Sequence, residues 1–409
     1  MSPARPLHVL IAGGGLSGLT LAQGLVKEGH TCDVFERDPD DSRQIGYYLT
    51  MNADGGGALR RCLPEDLFEL YVRTSRRSYD RIESIVLDDQ LNELSSQPHR
   101  GPVSRGERAD TGIHRRTLRS ILRARLGDSL RLGQPVAGYE ETPSGVTVRL
   151  ADGTTADGDV LVGADGIRSA VRRQRLPDVA VVETGVRGLG VFGRTPLTPE
   201  LAGQLPPHLF EGVNMAVDRK GSRLLIALHR LRQRPEEAAA AIAPDVKLDP
   251  VGDYAMISCS VAPGTVIPPS AAWTADTPAM LRDAMLVAIE GWHPAARALV
   301  AGQDLKSIFV IPWGYLEPPP PWTPSRVTLI GDAVHAMLPT LGLGANLALR
   351  DAAHLLDQLC AVGRGQADLV YAVGTYELQM RDYVYPFMRM AADHDRNFGG
   401  GALAGEGRR

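Results

Sequence analysis

The sequence predicts an α/β protein whose parallel-sheet domain carries an inserted, mostly antiparallel sheet. Strand and helix patterns alternate near both ends of the 409-residue chain, whereas the middle contains strand patterns joined by short turns. Two later strand patterns, near residues 160 and 327, each lead through a glycine-containing turn into a helix. This order indicates that the first domain is assembled from separated segments and that the second domain is inserted among them.

The first strand is predicted at residues 8–12, a short apolar run typical of a buried parallel strand. The motif Gly13-x-Gly15-x-x-Gly18 ends this strand and opens a helix. Gly13 permits a tight turn, Gly15 lets the backbone approach a pyrophosphate, and Gly18 allows close packing of helix on strand. The amides at a helix start also favour anionic phosphates. We therefore predict a dinucleotide-binding turn that consists of Gly13, Gly15, Leu16, Ser17 and Gly18.

The second strand is predicted at residues 31–36 and ends at Glu36. A carboxylate at this place binds the adenosine ribose of a dinucleotide. Arg37 follows directly and has three interpretations. It meets a 2′-phosphate of NADP, it lies near the adenine of FAD, or it is a solvated surface residue.

Periodicity and turn residues predict the later elements. Residues 39–110 are polar and irregular, which predicts loops and a few short strands. Apolar residues at helical spacing predict a helix over 117–126, and further helices are expected at 280–300 and 364–395. Alternating patterns predict two hairpins and a further strand, at residues 136–162 (with the turn Asp152-Gly153), 215–228 and 253–261.

Two later strands each deliver an acidic residue to a turn. Residues 160–163 form one predicted strand, which leads to Asp165 and a helix start. Residues 327–330 form the other, which leads to Gly331-Asp332, then to a glycine-rich turn and a helix. These units are the later segments of the domain that begins with the glycine motif.

Charge and cysteine content exclude several functions. The formal net charge is −4 and arginines occur in every region, so binding to nucleic acid phosphates is not expected. The four cysteines lie far apart without a Cys-x-x-Cys pair, which argues against a zinc site or a redox dithiol. No uncharged apolar run is long enough to span a bilayer. We expect a cytoplasmic protein, monomeric or homodimeric, with no metal and no membrane or nucleic acid partner.

The three motifs together resemble the flavoprotein aromatic hydroxylases of the para-hydroxybenzoate hydroxylase type, the class A flavoprotein monooxygenases. The resemblance covers about residues 7–360. Its most specific part is the string Gly331-Asp332-Ala333-x-His335, Pro339, and Gly342-x-Gly344-x-Asn346. Weaker matches are Arg43-x-x-Gly46 and Ile113-His114-Arg115-x-x-Leu118. The sequence departs from the family at Val334, where a small residue is usual.

The resemblance implies roles for individual residues. Asp332 would accept a hydrogen bond from a ribityl or ribose hydroxyl of FAD, because a carboxylate is a strong acceptor. Arg115 would contact the phosphate or ribityl region. Asp165 has two interpretations of equal weight, which are an indirect contact to the pyrophosphate region and a structural turn. His335 is expected to be a buried, hydrogen-bonded structural residue and not a base.

The resemblance also implies a flavin-side arrangement near residue 340. Pro339 would lie at the junction of flavin and substrate, and the loop at Arg43 would let the flavin move to meet a nicotinamide. The start of the following helix would place its positive dipole end near the flavin pyrimidine ring, which stabilises negative charge there. The predicted cofactor contacts in this turn are Gly342, Leu343, Gly344, Ala345 and Asn346.

The predicted fold is a Rossmann-like FAD-binding domain with an inserted substrate domain and a C-terminal helix. The FAD-binding domain is expected at residues 1–75, 101–182 and 300–360. The substrate domain is expected at 76–100 and 183–299, and the C-terminal helical segment at 361–409. The resemblance implies an FAD-dependent monooxygenase that uses O2 and takes NADPH or NADH as a transient co-substrate.

The candidate walls of the substrate pocket are Tyr47, Tyr48, Met215, Leu228 and Ser258. These walls are mainly apolar, which favours a bulky hydrophobic substrate with an aromatic, enol or alkene carbon, such as a polyketide-type intermediate. Three other functions stay open. They are a redox-neutral cyclase that keeps FAD as a structural wall, a nicotinamide dehydrogenase that uses only the first glycine motif, and a non-catalytic flavin-binding module.

Overall fold

The structure is a computed structural model. It describes residues 5–40, 47–79, 81, 83–98, 111–185, 191–262, 264–269, 272–310, 313–338 and 342–399.

Strands occur throughout the described part of the chain. In chain order they are β1 (His8–Ala12), β2 (Thr31–Glu36), β3 (Tyr48–Met51), β4 (Glu83–Leu87), β5 (Glu93–Pro98), β6 (Thr111–His114), β7 (Leu130–Leu132), β8 (Val136–Glu141), β9 (Val146–Leu150), β10 (Thr155–Gly158), β11 (Val160–Gly163), β12 (Val181–Gly185), β13 (Val191–Pro196), β14 (Val213–Val217), β15 (Arg223–His229), β16 (Tyr254–Cys259), β17 (Phe309–Val310), β18 (Trp313–Leu316) and β19 (Val327–Leu329).

Helices connect and cover these strands. In chain order they are α1 (Leu16–Lys27), α2 (Ala53–Cys62), α3 (Glu65–Thr74), α4 (Arg115–Arg123), α5 (Ala170–Arg175), α6 (Pro199–Gln204), α7 (Pro235–Ile242), α8 (Thr277–Ala288), α9 (Pro294–Ala301), α10 (Asp332–His335), α11 (Gly344–Gly363) and α12 (Leu369–Gly399).

A five-stranded parallel sheet forms the centre of the first domain. Its strand order is β19-β11-β1-β2-β7, so strands distant in sequence lie side by side. The helix α11 packs against α1, α2 and α12 beside this sheet. The largest apolar core includes buried residues of the sheet and of all four helices. The predicted Rossmann-like fold, assembled from separated segments, is confirmed.

A seven-stranded sheet forms the inserted domain. Its order is β17-β13-β16-β15-β14-β4-β5, and every neighbouring pair is antiparallel except β14 with β4. Helices α8 and α9 cover one face and form a second core with the sheet. The opposite face packs against residues of the first domain, including Tyr48. Because β17 belongs to this sheet, the sheet takes a strand from a range that we assigned to the FAD-binding domain.

Two helices occupy a region where the sequence predicted loops and short strands. In α2, the Asn52 side chain accepts hydrogen bonds from the amides of Asp54 and Gly55, which satisfies the helix start. In α3, one face is buried through Leu67, Leu70 and neighbouring apolar residues. The loop prediction was wrong here because tertiary packing outweighs the low helix propensity of three consecutive glycines.

Turn residues account for the observed hairpins. Gly153 has a φ of +88°, and Asp152 Oδ1 accepts from the Thr154 amide at 2.9 Å, which closes the β9–β10 turn. Asp218 accepts from two amides in the β14–β15 turn, where Gly221 has a φ of +90°. The predicted hairpin segment contains three strands, β8, β9 and β10, and the chain then enters the parallel sheet as β11, the strand predicted at residues 160–163.

Candidate functional site

The three sequence motifs meet at the carboxyl edge of the parallel sheet. Strands β1, β11 and β19 are neighbours, and a turn follows each of them. A Cβ added at Gly13 would lie 2.3 Å from the Ala164 carbonyl oxygen, next to Asp165. A Cβ added at Gly331 would lie 3.0 Å from Ser17 Oγ. The first turn therefore contacts both of the others at close range.

The three glycines of the first motif differ in the reason why a larger side chain would not fit. Gly13 has a φ of +109°, and a Cβ at Gly18 would lie 2.1 Å from the Gly13 carbonyl oxygen. The fold itself therefore requires both residues to be glycine. Gly15 has an ordinary φ of −76°, and its added Cβ would have no described atom closer than the Ala164 oxygen at 4.0 Å. This space is therefore open in the protein, and a pyrophosphate bound here would need it to approach the backbone closely.

Glu36 is buried beneath the first turn. Its Oε2 accepts from the Gly14 amide at 3.0 Å, and its Oε1 accepts from the Asp38 amide at 2.9 Å. Arg119 Nη2 lies 3.5 Å from Glu36, and Arg119 Nε donates to the Gly14 carbonyl at 3.0 Å. Glu36 thus shapes the turn, and its contact to a ribose stays a prediction. Arg37 is exposed and lies 4.0 Å from Asp38.

Arg119 is a site residue that the sequence reasoning missed. It is 2% exposed, and burial lowers the pKa of its guanidinium, although the nearby Glu36 opposes this shift. The available signal was its position one helical turn after Arg115 on α4, because residues four apart lie on the same helix face.

Asp332 at the start of α10 and Arg115 at the start of α4 lie close enough to interact electrostatically. Asp332 follows Gly331, whose φ is +59°, and its side chain is accessible to solvent. Desolvation by the surrounding protein nevertheless raises the pKa of Asp332, while His335 and Arg115 oppose the shift. An accessible carboxylate at this position can accept a hydrogen bond from a ligand hydroxyl. We call the space bordered by Gly15, Asp332 and the start of α11 the recess. The Arg115 guanidinium carbon lies 5.7 Å from the centre of the Tyr47 ring.

Asp165 holds the start of α5. Its Oδ2 accepts from the Ala170 amide at 2.6 Å, whereas its Oδ1 is buried without a hydrogen-bond partner among the described residues. Arg172 Nη1 donates to the Ala333 carbonyl at 3.0 Å and links the second turn to the third. The structural interpretation accounts for one oxygen of Asp165, and the other stays available to water or cofactor.

The start of α11 forms the far side of the recess. Among the described residues, neither a side-chain cap nor an acidic residue of the first turn neutralises its positive end. Asn346 fixes this end, because its Oδ1 accepts from the Asn52 amide and its Nδ2 donates to the Thr50 carbonyl, both at 2.9 Å. Leu343 is buried in the core, and Gly342 has a φ of +64°. Pro339 and the segment from Arg43 to Gly46 lie outside the described residues.

His335 is a buried structural residue, as the sequence predicted. Asp351 Oδ2 lies 2.5 Å from His335 Nε2 and accepts from the Gly331 amide at 2.7 Å. Burial disfavours the imidazolium, but the Asp351 carboxylate outweighs this effect and raises the pKa of His335. Tyr383 donates to the other Asp351 oxygen at 2.6 Å. This network fixes the turn that carries Asp332.

An aromatic wall runs from Arg115 to the seven-stranded sheet. Tyr47 stacks on Phe309 with ring centres 5.5 Å apart, and Phe309 stacks on Phe192 at 5.3 Å. The Tyr48 amide lies 3.2 Å from Met256 Sδ, which ties β3 to the same sheet face. The wall therefore extends from Arg115 onto the inserted sheet, which contributes Phe192 and Phe309.

The remaining candidate wall residues divide between the two faces of that sheet. Met215 and Ser258 alternate with residues of the α8–α9 core and therefore lie on the side of the aromatic wall. Leu228 belongs to the α8–α9 core and is buried on the opposite face. Its assignment to the pocket was wrong, because neighbouring residues of a strand point to opposite faces.

Polar residues from distant parts of the sequence also meet on this wall. His229 stacks on Tyr254 with ring centres 4.8 Å apart, and His114 lies 5.9 Å from Tyr254. Arg194 Nη1 donates to His114 Nε2 at 3.1 Å. The sequence predicted an apolar wall with few fixed charges, and the structure corrects this. Strand pairing places Arg194 and His229 on the same face as Tyr254, although these residues are distant in sequence.

The recess fits FAD on four structural observations. They are the open space at Gly15, the accessible Asp332, the uncapped start of α11, and the unpaired Asp165 oxygen beside the first turn. Within the described ranges, no three His, Cys, Asp or Glu side chains are grouped to hold a metal ion, and no helix is long and apolar enough to cross a bilayer. The fold and the recess define an FAD-binding protein of the Rossmann type.

Known proteins support this classification. Residues 320–383 match the FAD binding domain family, and residues 11–46 match the NAD(P)-binding Rossmann-like domain family. The dual O-methyltransferase/FAD-dependent monooxygenase elcB of Phaeosphaeria nodorum is 30% identical, with 96% of this chain and 45% of that protein aligned. The chain thus spans less than half the length of that relative. The aurachin C monooxygenase/isomerase of Stigmatella aurantiaca is 29% identical, with 91% and 84% aligned.

A solved structure is similar over 96% of this chain. The crystal structure of a Photorhabdus luminescens protein designated an FAD containing monooxygenase has a TM-score of 0.76 and 29% identity, covering 96% of this chain and 100% of that one. These matches agree with the resemblance to the class A flavoprotein monooxygenases that the sequence motifs indicated.

Proposed function

We propose that the protein is an FAD-dependent monooxygenase that uses NADPH or NADH and O2 to oxygenate a hydrophobic aromatic, enol or alkene substrate. The observation that carries this proposal is the adjacency of the FAD-fitting recess and the aromatic wall, which share Arg115 and Tyr47. The monooxygenase activities in the names of the elcB and aurachin C relatives support this proposal. The aromatic wall favours a hydrophobic natural-product intermediate of the polyketide type.

The residues of this chain would bind FAD, orient the substrate and shield the reacting carbon from water. FAD, when bound, supplies hydride acceptance from a nicotinamide and activation of O2. The start of α11 would stabilise negative charge beside the bound cofactor through the helix dipole. Asp332 would accept a hydrogen bond from a cofactor hydroxyl, and Arg115 would balance anionic charge. Phe192, Phe309 and Tyr47 exclude water from the reacting carbon.

The proposal is tested by the requirement for both co-substrates. Converted substrate is expected only when NAD(P)H and O2 are both present, and 18O2 should place label in the product, as read by mass spectrometry. The test starts from a panel of aromatic and polyketide substrates, screened by NADPH and NADH oxidation. Conversion at full rate under nitrogen, without nicotinamide, would instead identify a redox-neutral cyclase in which FAD is a structural wall.

Substitution of Arg115, with neighbouring Arg116 as a matched control, tests the predicted contact to the cofactor. Arg115→Ala is expected to weaken FAD binding about tenfold, because a charged hydrogen-bonding partner is lost. Titration of apoprotein with FAD, followed by flavin fluorescence, measures the change. Arg116→Ala is the control, since Arg116 pairs with Asp249 at 2.8 Å. Equal affinity in the two variants would show that Arg115 has no cofactor role.

A further inference from the structure

Asp332 and His335 are neighbours on the short helix α10. They are the first and last residues of this helix, and residues three apart in a helix lie close together on its surface. The amides of Val334 and His335 both donate to the Gly331 carbonyl at 3.0 Å, which keeps the turn compact. An exposed carboxylate at the recess therefore lies next to an imidazole that is fully buried in the core.

His335 carries a positive charge in this core. Its Nε2 lies 2.5 Å from Asp351 Oδ2, and both residues are 0% exposed. The Asp351 carboxylate also accepts from the Gly331 amide at 2.7 Å and from the Tyr383 hydroxyl at 2.6 Å. Three donors favour the anionic form of this carboxylate, and a buried anion needs a counterion. Burial by itself would lower the pKa of His335, but the Asp351 carboxylate raises it above its ordinary value. His335 is therefore protonated throughout the acidic range in which a carboxyl group titrates.

Asp332 depends on nearby positive charge to stay ionised. Desolvation raises the pKa of Asp332, and a protonated carboxyl group is a weaker hydrogen-bond acceptor than a carboxylate. Two cations oppose this shift, and the effect of His335 is larger than that of Arg115. The effect of His335 also exceeds the opposite effect of the Asp351 carboxylate. His335 is thus the strongest local source of positive charge that acts on Asp332.

Other groups around α10 do not supply this charge. Arg172 on α5 is a second cation nearby, but its Nη1 donates to the Ala333 carbonyl at 3.0 Å, and the carboxylate that acts on it is Asp165. The tyrosines of α12 in this region are buried, which raises their pKa and keeps them neutral. The titratable or charged side chains of the elements packed around His335 include Asp332, Asp351, Arg172, Tyr315, Tyr376 and Tyr383.

We propose that His335 is a positioning residue for FAD: paired with Asp351, it holds Asp332 in the ionised form that accepts a hydrogen bond from a cofactor hydroxyl. This role uses the charge of His335 and involves no proton transfer, which agrees with its burial away from solvent. The inference rests on the predicted contact between Asp332 and FAD. It does not depend on the oxygenation step.

The test is the pH dependence of FAD binding, measured by fluorescence titration of apoprotein from acidic to neutral pH. Wild-type affinity should fall on acidification, as Asp332 takes up a proton. In His335→Gln this fall should begin at a pH higher by about one unit, because glutamine can still donate to Asp351 but carries no charge. His354→Gln is the matched control. His354 lies edge-on to Tyr383 at 5.3 Å, and burial lowers its pKa, so it holds a proton less readily than His335. That variant should keep the wild-type profile.

Asp332→Asn separates this role from a purely structural one. The amide still accepts a hydrogen bond but does not titrate, so the variant should bind FAD more weakly at neutral pH and lose the fall on acidification. His335→Gln combined with Asp332→Asn should show the same profile as Asp332→Asn alone, because His335 acts through Asp332. A His335→Gln profile equal to wild type, or a pH dependence that returns in the double variant, would overturn the proposal. Wild-type binding by Asp332→Asn would instead contradict the FAD contact on which the proposal rests.

A calorimetric measurement needs no substitution in the core. FAD binding to apoprotein at neutral pH, followed in two buffers of different ionisation enthalpy, counts the protons released. Wild type and Asp332→Asn should release the same number, because Asp332 is already ionised before FAD binds. An excess approaching one proton in the wild type would show that the apoprotein holds Asp332 protonated, and would overturn the proposal. None of these measurements uses turnover, so a failure of O2-dependent oxygenation would contradict the proposed function and leave the role of His335 intact.

Discussion

Gly15→Val is expected to yield a folded protein that purifies almost without FAD. An added Cβ would have the Ala164 carbonyl oxygen, at 4.0 Å, as its nearest described neighbour, so the side chain can begin here without a clash with the fold. A pyrophosphate at the start of α1 needs the same space, because its contacts are made by backbone amides. We expect FAD affinity to fall at least about 100-fold, which corresponds to roughly 2.7 kcal/mol. Flavin absorbance per protein and apoprotein titration measure the loss.

Two other glycines make this result interpretable. Gly203→Val is the matched control, because Gly203 is exposed on α6 and has no neighbour within 4 Å of an added Cβ. It should keep its flavin. Gly18→Val should instead fail to fold, since its Cβ would lie 2.1 Å from the Gly13 oxygen. Normal flavin content in Gly15→Val would show that the first motif does not hold the pyrophosphate.

Asp332→Ala is expected to weaken FAD binding and to stabilise the apoprotein at neutral pH. Loss of a charged hydrogen-bond acceptor costs about 1.5–3 kcal/mol, or roughly tenfold to hundredfold in affinity. The apoprotein is expected to become more stable, because desolvation raises the pKa of Asp332 and the folded protein therefore disfavours the charged form of this carboxyl group. FAD titration gives the first effect, and thermal unfolding of apoprotein gives the second.

The pH dependence of that stability has a definite sign. A carboxyl group whose folded pKa is raised contributes stability below its unfolded pKa, and this stability is lost as the pH rises through the folded pKa. Removal of Asp332 should therefore raise the unfolding temperature at pH 7, and the gain should shrink as the pH falls. Asp152→Ala is the contrasting control, because hydrogen bonds from Thr154 lower the pKa of Asp152. That variant should lose stability at pH 7 and keep FAD affinity. A destabilised Asp332→Ala apoprotein would contradict the recess interpretation.

The local patterns of the sequence were sufficient for the strand–turn–helix units. An apolar run followed by Gly13, Gly15 and Gly18 specifies a strand, a tight turn and a helix by backbone sterics alone. The same holds for the turns at Asp152-Gly153 and Gly221, where an aspartate caps amides and a glycine takes positive φ. Resemblance to a family then supplied the cofactor, which no periodicity specifies.

Only the tertiary structure determined which residues from distant segments of the chain lie next to one another. Helix α2 exists in a glycine-rich segment because Asn52 caps it and Asn346, nearly 300 residues later, packs against Gly55. Leu228 looked like a pocket residue, but strand alternation and the covering helices α8 and α9 place it on the far face. His229, Tyr254 and Arg194 carry no common motif. They meet only because β15, β16 and β13 pair in one register, and register is set by the burial of whole sheet faces, which is a property of the folded chain and not of any local segment.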